Sequence, residues 1–227
     1  MKYFTKQWFQ DVQDRPLSMN GLHFEVDKRA SKFSEDFFQE KIGDFYGKEH
    51  LDFYIDYWKK YLPKEIIDRV ADIRILAMNI ASQEVCDLIV AYCTRIDEGR
   101  EQIIRNYKKE SEGLTMPEWV DVLANFHDSR IVSVANVGSD LIMKVEPFYT
   151  DVSVVTFKNA KIVEQELKIL DGAYWSYEEI YKKDGFYEIH VMLSGERSNL
   201  REGFDNEYGL AYLTLTTTDV ILERLES

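Results

Sequence analysis

Apolar residues recur at helical spacing over the first half of the chain and mostly alternate, as in strands, over the second. The change falls across Phe126-His127-Asp128-Ser129-Arg130-Ile131. Before it, Ser34 is an N-cap with Phe33 and Phe38 as a hydrophobic staple, opening a helix that stops near Gly47. Leu51, Tyr54, Ile55, Trp58, Tyr61 and Leu62 form one apolar stripe, which Pro63 ends while opening the next turn. A second stripe, Val85, Leu88, Ile89, Tyr92, Cys93 and Ile96, follows the cap residue Ser82, and helical spacing continues past Gly99. Thr115-Met116-Pro117-Glu118 reads as a capping box ahead of Trp119, Val122, Leu123 and Phe126.

After the seam, Ile131–Val137 and Leu141–Val145 flank Gly138-Ser139-Asp140, a hairpin signal. Val152–Phe157 and Ile162–Leu167 flank Lys158-Asn159-Ala160, which predicts a second. Trp175–Tyr181 and Phe186–Leu193 flank a third, with Asp184-Gly185 as its turn. Leu210–Thr216 and Val220–Leu222 end the pattern, and the polar stretch from Ser194 to Gly209 reads as a long loop. The expected fold is α+β: an N-terminal helical bundle over residues 1–114, then a capped helix and an antiparallel β-sandwich or curved sheet over residues 115–227.

Composition changes the picture in three ways. The 227 residues carry a net charge of −13, and residues 118–227 hold 10 basic against 20 acidic side chains, or −10 of it. Such a field repels phosphate backbones and anionic lipid, which argues against nucleic acid or a membrane as partner and leaves a basic protein partner permitted. The 14% aromatic content fills either a core or a partner surface. Cys86 and Cys93, seven residues apart in one helix, are about 10 Å apart along its axis. That is too far to bridge, and Cys93, on the stripe itself, reads as a small buried hydrophobe. With no signal peptide and no long apolar run, the cytoplasm is the expected location.

No cofactor motif is present. Glu49, Asp52 and Asp56 with His50 read as a solvated acidic helix face. If Asp184-Gly185 is a two-residue turn, Tyr181 faces Glu188 and Glu179 faces His190, so these four share one sheet face. Two carboxylates and an imidazole there, joined by His127 and Asp128, have the chemistry for a divalent metal or acid–base work. The alternative is an ordinary cross-strand Glu–His pair on a solvated face, with His127-Asp128 as a structural junction.

Met1-Lys2-Tyr3-Phe4-Thr5-Lys6-Gln7-Trp8 and Asp72-Ile73-Arg74-Ile75-Leu76-Ala77 resemble segments of a bacterial family of unknown function, a likeness covering nearly the whole chain. It supplies no catalytic residues. The Phe126–Ile131 stretch followed by hairpins resembles the small β domains of bacterial toxin-immunity proteins, which implies a binding role. The functional expectation is thus a non-enzymatic, immunity-like binding protein presenting an acidic surface to a protein. The alternative is a metal-assisted hydrolase using His127, Asp128, Glu179, Glu188 and His190. Oligomeric state stays open.

Overall fold

The computed structural model describes residues 1–13, 24–43, 48–203 and 208–225. In chain order these form α1 (Lys6–Gln13), β1 (Glu25–Val26), α2 (Glu35–Ile42), α3 (Lys48–Tyr61), α4 (Lys64–Ile67), α5 (Ile73–Ala77), β2 (Ile80–Ala81), α6 (Gln83–Glu110) and α7 (Trp119–Leu123). Eight strands follow: β3 (Arg130–Val137), β4 (Asp140–Glu146), β5 (Val152–Lys158), β6 (Lys161–Gln165), β7 (Tyr174–Lys182), β8 (Tyr187–Ser194), β9 (Leu210–Thr217) and β10 (Asp219–Arg224). The α+β class expected from the hydrophobic rhythm is what is observed. Among the described residues, no helix is long and apolar enough to cross a membrane.

The chain divides into two compact units, residues 11–101 and residues 1–10 with 102–227. The first is helical. Ser34 caps α2 by accepting from the Phe37 N–H at 3.3 Å, and Ser82 serves Val85 likewise. Pro63 is the N-cap of α4. Trp58, Leu76, Ala77, Ile89 and Cys93 sit at the centre of its core, and both cysteines are buried. Asp52, Asp56 and His50 are exposed on α3, and the stop expected near Gly47 lies outside the described residues. The capping box is a correction. Helix α7 starts from Glu118 without a side-chain cap, and the Thr115 carbonyl instead accepts from Lys182 Nζ at 3.0 Å.

The other unit is built on an antiparallel sheet of order β10-β5-β4-β3-β7-β8-β9-β6. The β3–β4 and β7–β8 hairpins are present, the latter pairing Glu179 with His190 and Tyr181 with Glu188 as the turn dictates. The Lys158-Asn159-Ala160 hairpin is not. β5 pairs with β4 and β10, while β6 pairs with β9. Lys158↔Asp219 and Lys161↔Thr216 continue one register, so β5–β6 and β9–β10 form one long antiparallel pair that bends at Asn159 and Thr218. Asn159 takes a φ of 48° there, and its amide donates to Thr218 Oγ1 at 3.1 Å. A turn-like tripeptide therefore marks a corner, where strands pass from one half of the sheet to the other. Both halves share one core, including Leu141, Met143, Phe157, Ile189, Leu213 and Leu215, closed by Trp119, Leu123 and Phe126 around α7.

The β3–β7 register is confined to Arg130↔Tyr174. Beyond it, the edge of β7 is served by the end of α6: the Ile180 N–H donates to Tyr107 Oη at 2.8 Å. This closes a backbone group that would otherwise be left without a partner.

Candidate functional site

The face carrying Tyr177, Glu179, Tyr181 and His190 is not solvated, contrary to the simple reading of an open polar surface. Residues of the N-terminal segment cover part of it. The Glu179 carboxylate is fully buried and accepts four hydrogen bonds. Oε1 takes the backbone N–H groups of Tyr3 (2.6 Å) and Phe4 (2.7 Å), and Oε2 takes Lys2 N–H and the Tyr181 hydroxyl, each at 2.7 Å. Burial alone would raise this carboxyl, but the four donors outweigh it and hold it below the usual range. The same arrangement, with burial as the larger cause, pushes the Tyr181 phenol up.

A parallel anchor lies one strand pair away. Glu166, also buried, accepts the Tyr212 N–H at 2.8 Å and pairs with Lys6 Nζ, while the Lys6 N–H donates to Tyr212 Oη at 2.7 Å. Rings fill the space between. Phe4 lies 5.2 Å from Tyr107 and 5.7 Å from Tyr177, and Trp8 is edge-on to Tyr177 at 4.9 Å. Part of the aromatic content thus packs residues 1–10 onto the sheet. Burial pushes the Tyr107 phenol up to about 12.

The five residues singled out by sequence fall into separate groups. Glu188 Oε1 meets His190 Nε2 at 2.7 Å, and the other ring nitrogen lies 3.4 Å from Thr214 Oγ1. The His190 ring also packs edge-on against Tyr181 at 5.5 Å. Both nitrogens are therefore engaged within the sheet. His127 Nδ1 pairs with Asp128 at 2.9 Å, and the His127 ring stacks edge-on against Tyr177 at 5.0 Å. Asp128 has a φ of 67°, and its N–H donates to the Trp175 carbonyl at 2.8 Å, which fixes the entry into β3. Glu179, expected to complete a ligand set, is used by the N-terminal segment. Among the described residues, no three His, Cys, Asp or Glu side chains converge as a metal site.

Glu178 escaped the sequence reading. It accepts from buried Trp175 Nε1 at 2.9 Å, and burial pushes its carboxyl up to about 7. It lies two residues before Ile180 on β7 with no break in register between them, so it shares the inward face with Ile180.

Two clefts of this unit are lined by several charged side chains. One, of about 420 Å³, is lined by Lys2, Glu110, Tyr181, Lys183, Glu188 and His190. Lys2 pairs there with Glu110, His190 meets Glu188, and Lys183 lies over the Tyr181 ring. The larger, of about 610 Å³, lies where the start of β7 and the end of β8 meet the loops before β7 and after β8. Sequence gave no signal for it beyond a polar loop.

No curated protein and no solved structure matches the chain. A family model does, over residues 3–200, a span that takes in the Glu179 anchor and the β7–β8 hairpin. The chain belongs to the family described as Protein of unknown function (DUF4085).

Proposed function

We propose that the chain is a cytoplasmic, non-enzymatic binding protein of bacterial immunity type that presents its acidic β half to a basic protein. The observation that carries this reading is the −10 charge of residues 118–227. Much of it stands on exposed side chains, among them Asp121, Asp171, Asp184, Glu196, Glu202 and Glu223. A field of this kind accelerates encounter with a positive partner and makes association fall with salt. The groups with catalytic potential, by contrast, are occupied in holding the fold together. Glu179 anchors the N-terminal segment, and both nitrogens of His190 have partners.

The test is affinity purification of the tagged chain from its native cells at low and high salt. A basic protein recovered in stoichiometric amount at low salt and released at high salt is the expected result. Recovery of no stoichiometric partner, or of one held equally at both salt concentrations, overturns the reading. An adjacent toxin-like reading frame in the genome would identify the first partner to try.

A further inference from the structure

We propose that the 610 Å³ pocket is the part of this surface that receives an arginine side chain of the basic partner. The inference rests on the acidic-surface reading and assigns it a place and a chemistry.

The pocket has the volume of an ordinary ligand site. Its walls are held by backbone bonds. The Gly172 N–H donates to the Ile131 carbonyl at 2.7 Å, Lys168 N–H to the Asn199 carbonyl at 2.9 Å, and Gly195 N–H to the Gly209 carbonyl at 3.1 Å. At Gly209, with a φ of 63°, an added Cβ would stand 2.2 Å from the Gly195 carbonyl oxygen, so only glycine lets the two ends of the β8–β9 connection meet. Such a frame is formed before any ligand arrives, which lowers the cost of binding.

Its lining then selects the ligand. Asp171 and Glu196 are exposed carboxylates that make no ion pair among the described residues. Arg130, the one basic lining residue, reaches out to Glu146 at 3.6 Å. Asp171 and Glu196 are thus carboxylates at the pocket left without an ion-pair partner among the described residues. Tyr174 and Tyr208 add aromatic faces, and Ile169 adds an exposed apolar side chain. Two carboxylates beside tyrosine rings suit a planar guanidinium, which bonds carboxylates in pairs and stacks on aromatic faces. The three-carbon stem of arginine would lie along Ile169. A lysine ammonium uses the charge but neither the fork nor the stacking.

The test is an amide NMR titration of the full chain with acetyl-hexaarginine amide at low salt, repeated with hexalysine. Two double variants of equal charge change are compared, Asp171→Asn/Glu196→Gln in the pocket and Glu112→Gln/Glu223→Gln outside it. Expected are shifts centred on Asp171, Tyr174 and Glu196, with binding about tenfold weaker in the pocket variant and within about twofold of wild type in the other. Hexalysine binds more weakly than hexaarginine. If both variants weaken binding equally, or the shifts centre elsewhere, the pocket assignment fails while the acidic surface stands. Equal binding of the two peptides removes the guanidinium assignment. Absence of binding by either peptide at low salt overturns the surface reading as well.

Discussion

Replacing Glu179 with glutamine tests whether this carboxylate is a structural anchor. Four donors converge on its two oxygens at 2.6–2.7 Å, three of them backbone N–H groups of Lys2, Tyr3 and Phe4. Glutamine keeps the shape and one oxygen but presents an NH₂ to two of those donors. A hydrogen bond to a charged group contributes about 1.5–3 kcal/mol, and a buried donor left without an acceptor costs about 1–3 kcal/mol. Since the Tyr181 hydroxyl can turn to accept, Glu179→Gln should cost about 2–4 kcal/mol rather than the sum of four bonds. The wild-type carboxyl is held below its ordinary value, so its contribution is present above the unfolded value near 4.5 and is lost as pH falls through the folded one. The variant should lack that acid-side loss. Urea denaturation across the acid range, with hydrogen exchange at Lys2, Tyr3 and Phe4, measures both effects. A stability change under about 0.5 kcal/mol with unchanged protection at those amides would refute the anchor.

Glu178 should behave in the opposite sense. Its folded value near 7 lies above the unfolded one of 4.5, so wild type loses stability as pH rises between them. Glu178→Gln, which can still accept from Trp175, should gain relative stability across that window, reaching up to about 3 kcal/mol above pH 7 in denaturation curves. Tyr107→Phe strips the acceptor from the Ile180 N–H and should cost about 1–3 kcal/mol by the same measurement. Gly209→Ala forces a left-handed Cβ against the Gly195 carbonyl and should lower stability by at least about 1–3 kcal/mol, with NMR shifts concentrated in the loops around the larger pocket.

The helices, most strands and the β7–β8 register were legible because periodicity and turn residues are local signals. The fate of β5 and β6 was not. Lys158-Asn159-Ala160 has hairpin chemistry, and only the long-range pairing with β9 and β10 shows that the chain turns a corner instead. The candidate site failed for a related reason. The cross-strand placement of Glu179 and His190 was readable, yet nothing local announces that residues 2–4 return, about 175 positions away in sequence, to occupy the carboxylate. Glu178 was passed over because a carboxylate is not expected at an inward position, although alternation from Ile180 places it there. The larger pocket arises where the chain before β7 meets the β8–β9 connection, as in the Lys168 N–H to Asn199 carbonyl bond, a contact without any sequence period.

The most direct test of the central claim is capture from native cells by wild type and Asp171→Asn/Glu196→Gln side by side, at low and high salt. The account predicts one basic protein bound stoichiometrically to wild type, released by salt and recovered in smaller amount with the variant. No stoichiometric partner, or a partner held equally at both salt concentrations, would contradict it.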